Sequence, residues 1–131
     1  KVVKVADGDS LTLLASSNQQ VKIRLAGIDT PERRQPFGNK AKQALVELAF
    51  QKQVIVEVKT IDRYGRIVGV VFVDGQNLNA ELVRQGLGWV YRKYTKDRGL
   101  YELETRAKNE RLGLWGDDAP IEPWLWRRGK R

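Results

Sequence analysis

Hydrophobic and polar residues alternate along the first part of the chain, a pattern that predicts β-strands. The run Val2-Val3-Lys4-Val5 leads into Asp7-Gly8, after which Leu11 and Leu13 alternate with polar neighbours. An Asp-Gly pair between two such runs indicates a hairpin. After a polar break, Val21 to Leu25 alternates strictly, so its apolar side chains share one face and Lys22 and Arg24 the other. The pattern therefore predicts a hairpin followed by a third strand.

The middle of the chain changes from a helical period to a second strand pair. From about Asn39 to Gln51, alanine and leucine recur three and four residues apart, which is typical of an amphipathic helix. Val54 to Ile61 and Ile67 to Val73 are rich in β-branched residues. The segment Asp62 to Arg66 joins them and contains a glycine able to take positive φ. We expect a second hairpin here.

Two further helices follow. Asn77 to Gln85 has helical spacing and is closed by Gly86, while Leu100, Leu103 and Ala107 mark a third helix that we expect to end near Gly113. Five strands and three α-helices predict an α+β fold built on a five-stranded, OB-type Greek-key β-barrel. An open α+β sandwich is the alternative.

Composition limits the possible chemistry. The chain of 131 residues has the length of one domain, and 24 Lys plus Arg against 16 Asp plus Glu give a net charge of +8. This balance suits a protein that binds a polyanion and equally a merely soluble basic protein. Since the sequence contains no cysteine and no histidine, cysteine–histidine zinc sites, thiol nucleophiles and Ser-His-Asp triads are excluded. Any catalysis must use carboxylates, arginines, lysines, tyrosines or a hard metal ion.

Residues 117–131 differ in composition from the rest of the chain. We divide the chain into a domain of residues 1–116 and an extension of residues 117–131 rich in Pro, Trp and Arg. Four basic residues, Arg127, Arg128, Lys130 and Arg131, carry half of the net charge, and we expect a solvated tail. Pro123 to Trp126 is predicted to pack back on the domain, the alternative being contact with a partner. The longest apolar run, Ile67 to Val73, is far shorter than the roughly 20 residues of a membrane span.

Two acidic segments could hold a metal. Asp9 lies in the Asp7-Gly8-Asp9 turn, and Asp29-Thr30-Pro31-Glu32 follows the strand that carries Arg24. Taken alone, each is an ordinary turn or loop. If the strands bring Asp9 and Asp29 together, however, their repulsion must be offset by a cation or by arginines. Oxygen ligands alone favour calcium or magnesium.

Basic and aromatic residues could bind a nucleic acid. Arg24 and Arg66 could each make bidentate contacts with a phosphate near such a metal site, although both could equally be solubilising arginines. Tyrosines interleaved with positive charge suit base stacking along a backbone groove, and packing at the edge of the core is as good an explanation. These candidate substrate-binding residues are Arg63, Tyr64, Tyr91, Arg92 and Tyr94.

Four segments, in order and approximate spacing, resemble the staphylococcal nuclease (thermonuclease-like) family. They are Asp7-Gly8-Asp9-Ser10, Arg24 to Glu32, Asp62-Arg63-Tyr64-Gly65-Arg66, and Leu82-Val83-Arg84-Gln85-Gly86. The resemblance runs from Val2 to about Trp115. It implies an OB-type barrel with three helices and a calcium-dependent phosphodiesterase that acts on DNA and RNA and leaves 3′-phosphate ends.

The resemblance also implies a role for each site residue. Asp9 and Asp29 correspond to the calcium carboxylates, and Thr30 to a ligand that uses its backbone carbonyl. Glu32 corresponds to the residue that orients or deprotonates the attacking water. Arg24 and Arg66 correspond to the pair that holds the scissile phosphate.

The sequence departs from the family pattern in two places. The loop from Arg33 to Gly38 is short and lacks a lysine-rich excursion, which predicts a weaker grip on substrate there. Of two tyrosine positions that contact nucleotide in the family, Tyr94 matches one, whereas Arg92 stands at the other with Tyr91 one place earlier.

The principal hypothesis is therefore a calcium-dependent, sugar-nonspecific nuclease whose partners are DNA and RNA. The alternatives are a noncatalytic nucleic-acid-binding module and a basic scaffold that binds protein. We expect a monomer with no membrane association and no obligate protein partner. The resemblance, with a first residue that is not methionine, also predicts a secreted or periplasmic location.

Overall fold

The computed structural model describes residues 1–129 and shows an α+β fold. The predicted basic residues Lys130 and Arg131 lie outside the described residues. The strands are β1 (Val2–Asp7), β2 (Ser10–Leu14), β3 (Gln20–Leu25), β4 (Ile28–Asp29), β5 (Ile55–Ile61), β6 (Ile67–Val73), β7 (Gln76–Asn77) and β8 (Trp89–Val90). The helices are α1 (Gly38–Ala49), α2 (Leu78–Arg84), α3 (Arg98–Asn109) and α4 (Pro123–Trp126), with a 3₁₀ turn at Gly113–Gly116.

The prediction of five strands is wrong, since the described residues contain eight: β4, β7 and β8 are two residues long, too short to show an alternating pattern. The five long strands form one mixed sheet in the order β1-β2-β3-β6-β5, with β7 paired to β6. All neighbours are antiparallel except β3 and β6, which run parallel with Ile23 opposite Ile67 and Arg24 opposite Val68. The predicted closure into a barrel is wrong for residues 1–129, because no ladder joins the edge strands β1 and β5. Val2 exchanges backbone hydrogen bonds with Lys52 and Gln51, just before β5 begins. Register shifts within both edge strands interrupt the regular pairing of residues that a continued ladder would require.

Two of the predicted helices are confirmed closely and one ends earlier than predicted. α1 and α2 lie within about two residues of their predicted ends, and Gly86 closes α2 with φ 76°. α3 ends at Asn109, because Arg111 takes the left-handed conformation (φ 53°) and Leu112 N–H donates back to the carbonyl of Ala107.

The prediction of three α-helices is also wrong, since the described residues contain four. The additional helix, α4, begins at a proline in its first turn, where the missing N–H costs nothing. None of the described helices has the length and apolar character required to cross a bilayer.

One core lies between one face of the sheet and helices α1 and α2. Leu45, Leu78 and Leu82 are fully buried there against Ile23 and Leu25. The alternation predicted for β3 is confirmed, because Ile23 and Leu25 are buried while Lys22 is exposed and Arg24 is half-buried on the opposite face. Arg24 is thus directed away from the core, toward the short sheet formed by β4 and β8.

Candidate nuclease site

The β1–β2 turn presents Asp9. Asp7 pairs with Ser10, and its Oδ1 accepts hydrogen bonds from the Asp9 N–H (3.1 Å) and the Ser10 hydroxyl (2.9 Å). Burial, together with the charge of Asp9, raises the pKa of Asp7 to about 6. A side chain at Gly8 would place its Cβ 2.7 Å from both Ala41 Cβ and Thr30 Oγ1. Glycine therefore allows the turn to lie directly against Thr30.

Arg24 joins the two aspartates from distant parts of the chain. Its Nη2 lies 3.4 Å from Asp9 Oδ2 and 3.5 Å from Asp29 Oδ1. The Thr30 N–H donates to the same Asp9 oxygen at 2.9 Å. Asp29 is 1% exposed at the end of β4. Burial raises the pKa of Asp29, while hydrogen bonds from Arg127 and the charge of Arg24 oppose the rise.

Glu32 follows in the loop that leads to α1. Its N–H donates to Gln35 Oε1, and its carbonyl accepts from the Gln35 N–H. Gly38 is required where α1 begins, because an added Cβ there would lie 1.8 Å from the Glu32 carbonyl oxygen. The side chain of Glu32 remains partly exposed at the mouth of the site.

Arg127, just after α4, also lies in this site, although the sequence predicted a solvated residue there. Its guanidinium contacts both oxygens of Asp29, with Nη2 2.7 Å from Oδ2 and Nη1 3.1 Å from Oδ1. Nη1 also lies 2.5 Å from Glu32 Oε1. These contacts, led by the hydrogen bond to Asp29, raise the pKa of Arg127 above its ordinary value. Arg127 thus keeps the exposure expected of a solvated tail, with 40% of its side chain exposed, but its charge is paired with two carboxylates.

Arg66 is held in the β5–β6 hairpin. Its Nε donates to Asp62 Oδ2 at 2.8 Å, and its N–H donates to Asp62 Oδ1 at 3.0 Å. Arg66 is two residues from Val68, the register partner of Arg24, so alternation directs both arginines to the same face of the sheet. Arg63 and Tyr64 lie at the tip of this hairpin, where Tyr64 is 70% exposed. The structure thus pairs Arg66 with Asp62, on the face of the sheet to which Arg24 also points.

The predicted stacking residues divide into two groups. Tyr94 is exposed and meets Tyr91 edge to face, with ring centroids 4.7 Å apart. Tyr91 also stacks on Trp124 of α4, with centroids 5.1 Å apart and an interplanar angle of 7°. Arg92 instead pairs with the buried Glu104, which also accepts the Val90 N–H. Arg92 therefore serves to neutralise a buried acid in this structure.

The donors around Asp9 and Asp29 suit a hard cation by type. They are carboxylate, carbonyl and hydroxyl oxygens, and the buried Thr30 Oγ1 has no hydrogen-bond partner. Within residues 1–129, however, no three His, Cys, Asp or Glu side chains are grouped so as to hold a metal ion. The donor types fit a hard divalent cation, and Arg127 takes both oxygens of Asp29 in this arrangement.

Comparison with known proteins identifies the family. The sequence model of the family described as staphylococcal nuclease homologues matches residues 22–117. The chain belongs to the staphylococcal nuclease family. It is 44% identical over 131 residues to an uncharacterised endonuclease of Haemophilus influenzae, covering 100% of this chain and 74% of that protein. It is 43% identical over 142 residues to a micrococcal nuclease of Shigella flexneri, covering 100% and 81%.

This chain is also similar to a plant nuclease, at lower sequence identity. A staphylococcal-like nuclease of Arabidopsis thaliana is 37% identical over 124 residues, which cover 91% of this chain and 38% of that protein. The matched span contains Arg24, Asp29, Glu32 and Arg66, and Asp9 precedes it. The family predicted from the four sequence segments is confirmed.

Arg127 is a residue of the site that the sequence patterns did not predict. The available signal was local: Pro123 suits the start of a helix, and Trp124 and Arg127 lie three residues apart, on the same face of a helical turn. That signal indicates a helix with one aromatic and one basic side chain together. It does not indicate which surface the helix covers.

Proposed function

We propose that this protein is a nuclease that hydrolyses phosphodiester bonds of DNA and RNA with calcium as its cation, cutting the bond to the 5′ oxygen and leaving 3′-phosphate ends. The observation that carries the proposal is the meeting of Asp9 and Asp29 on Arg24, since residues 20 positions apart share one guanidinium beside Glu32. Membership of the staphylococcal nuclease family and the similarity to proteins named endonuclease and micrococcal nuclease support it.

The residues have distinct roles in this proposal. Asp9, Asp29 and the Thr30 carbonyl would hold the cation. A bound divalent cation polarises a phosphoryl oxygen and lowers the pKa of a water molecule. Glu32, at the mouth of the site, accepts the proton of the attacking water at its carboxylate.

The arginines act on the phosphate. Arg24 and Arg66 donate N–H groups to its oxygens and stabilise the charge that builds up as the fifth oxygen approaches phosphorus. Arg63, Tyr64, Tyr91 and Tyr94 provide cationic and aromatic surface for the neighbouring nucleotides. No step uses the ribose 2′-hydroxyl, so we expect both DNA and RNA to be cut.

Incubation with single-stranded DNA and with RNA, each in calcium and in chelator, tests the proposal. We expect cleavage of both polymers in calcium, its loss in chelator, and product ends that a 3′-phosphatase converts to hydroxyls. Binding without cleavage would support the noncatalytic module instead. A secreted or periplasmic location and a monomeric state remain predictions, and light scattering on a sizing column tests the second.

A further inference from the structure

The segment of residues 121–129, which we call the latch segment, lies over the candidate site. Gln35 Nε2 donates to the Ile121 carbonyl at 2.6 Å, so the start of the segment is fixed to the loop that carries Glu32. Trp124 then packs between two aromatic rings, stacked on Tyr91 and edge to face with Trp89 at 5.8 Å. The segment is therefore anchored at the site before its basic residues begin.

The latch segment covers two different parts of the site. Trp124 takes one face of Tyr91, a residue to which we assign base stacking. Arg127, one helical turn later, takes both oxygens of Asp29 and one of Glu32. One short helix thus occupies a stacking surface and the carboxylates together.

Charge makes this contact incompatible with a bound cation. A guanidinium that bridges both oxygens of a carboxylate uses the geometry that makes such pairs strong. Arg24 approaches only one oxygen of Asp29, at 3.5 Å, whereas Arg127 occupies both, at 2.7 and 3.1 Å. Because Asp29 is buried, the repulsion between Arg127 and a divalent cation on the same carboxylate is little screened by water. The cation therefore requires Arg127 to leave Asp29, while Arg24 can stay.

We propose that the latch segment is an autoinhibitory element in which Arg127 holds the position of the catalytic cation and Trp124 covers Tyr91. Cation binding and docking of the segment then exclude each other, so each weakens the other by the same factor. The inference rests on the proposed function, because it takes Asp29 as a ligand of the cation. It goes beyond that function because it describes the protein without calcium as an autoinhibited state.

Calcium titration by calorimetry tests the competition without any nuclease assay. The full chain is compared with Arg127→Ala, Trp124→Ala and the control Arg128→Ala, which removes an equal charge from the adjacent exposed residue. We expect Arg127→Ala to bind calcium about tenfold more tightly, within the usual range of coupling between sites. Trp124→Ala should shift the affinity in the same direction because it loosens the anchor, and Arg128→Ala should match the unmodified chain.

Limited proteolysis gives a second readout on the unmodified chain. A protease specific for Lys and Arg should cut at Arg127 and Arg128 faster in calcium than in chelator, as mass spectrometry of the released ends shows. Melting curves in chelator establish that each variant is folded, and Arg127→Lys serves as a milder variant that keeps the charge and loses the bidentate contact.

Each result decides the proposal. Equal calcium affinity in Arg127→Ala, Arg128→Ala and the unmodified chain would overturn the latch and leave the proposed nuclease function standing. Weaker binding in Arg127→Ala would also overturn it, since Arg127 would then support the cation. Absence of calcium binding in every variant would also overturn the latch, because there would be no bound cation for Arg127 to exclude. The cleavage assay in calcium and chelator would then decide separately on the nuclease function.

Discussion

Two guanidinium groups hold three carboxylates together on one small part of the surface. Arg24 links Asp9 to Asp29, and Arg127 links Asp29 to Glu32. Asp29, the shared member, is almost fully buried, so its charge depends on these partners. The charges of the cluster are balanced by one another more than by water, so a substitution of one member changes the electrostatic environment of the others.

Replacing Arg24 by alanine should destabilise the protein. Asp9 and Asp29 would lose the cation between them, and a buried charge left without its partner is costly. Because Arg127 still contacts Asp29, we expect a loss of about 2 to 3 kcal/mol in the free energy of unfolding, measured with urea in chelator. Lys22→Ala, at an exposed position of the same strand, is the control. Equal stability of the two variants would contradict the bridging role of Arg24.

Replacing Glu32 by glutamine should remove most of the activity and leave the fold intact. The amide keeps the size of the side chain and cannot accept the water's proton, so we expect cleavage of single-stranded DNA in calcium to fall about 100- to 10,000-fold. Circular dichroism melting checks the fold. Glu102→Gln, at an exposed position on α3, should keep full activity. A purified Glu32→Gln protein with normal turnover would exclude the general-base role.

Secondary-structure elements carry the site residues into position through a few polar contacts. Asn79 of α2 is 2% exposed and makes three hydrogen bonds across elements. Its Oδ1 accepts from the Val71 N–H, and its Nδ2 donates to the carbonyls of Ala26 and Gly69. Ala26 lies in the turn between β3, which carries Arg24, and β4, which carries Asp29. α2 therefore fixes the segment that sets the distance between these two residues.

Asn79→Ala should be strongly destabilising. The change leaves the Val71 N–H and the Ala26 carbonyl without their partner in the interior, and each such group costs about 1 to 3 kcal/mol. We expect a total loss of about 2 to 4 kcal/mol in urea unfolding. Asn39→Ala, on the exposed side of α1, should change stability far less. A loss at Asn79 no larger than at Asn39 would argue against this linking role.

The β5–β6 hairpin carries Arg66 as part of a turn that is ordered by Asp62. Asp62 Oδ1 accepts the N–H groups of both Tyr64 and Arg66, and Gly65 has φ 79°. The side-chain ion pair of Arg66 is only partly shielded, so it adds little to stability. The turn, rather than the ion pair, therefore determines where Arg66 lies.

Arg66→Ala should therefore separate activity from stability. We expect the rate of DNA cleavage to fall about 100- to 1,000-fold, as for other preorganised charged donors, with less than about 1 kcal/mol lost from the free energy of unfolding. Arg106→Ala, exposed on α3, controls for the loss of one positive charge. Unchanged cleavage by Arg66→Ala would remove this arginine from the mechanism.

At the scale of the whole molecule, ligand binding at the site is linked to the stability of the fold. The Asp9 turn, the Asp29 strand and the Glu32 loop are attached to β1–β2, to β3–β4 and to α1, which share one core. A ligand that binds the three segments together binds the folded state and not the unfolded chain. Cation binding should then raise the melting temperature of the entire domain.

Calcium at about 100 times its Kd should stabilise the chain by about 2.7 kcal/mol, or roughly 10 °C in melting temperature for a domain of this size. Adding a nucleotide with terminal phosphates should increase the shift, because both ligands favour the folded state. Calorimetric scans at matched ionic strength measure it. Asp29→Asn should lose the calcium effect, whereas Asp74→Asn, in an exposed turn, should keep it. A calcium shift that persists in Asp29→Asn would place the cation elsewhere.

Local patterns in the sequence predicted most elements because each depends on neighbouring residues. The strict alternation of Val21 to Leu25 fixes which face of β3 is buried, and Gly86 closes α2 through its own backbone conformation. Where a local pattern was overridden, the cause was again local: Arg111 takes positive φ without being glycine and ends α3 four residues before Gly113. The four family segments placed the chain in its family because their residues and order are properties of the sequence alone.

The sequence by itself thus determined the α+β class and the family, and it supplied the residues proposed to carry phosphodiester chemistry. Only the tertiary structure decided that β1 and β5 remain edge strands, that Arg92 neutralises Glu104, and that Arg127 reaches Asp29 across 98 positions of the chain. Such contacts depend on how distant elements pack, and no repeat or spacing along the chain encodes them. The charge of Arg127 is visible in the sequence, whereas the carboxylates it neutralises are chosen by the fold.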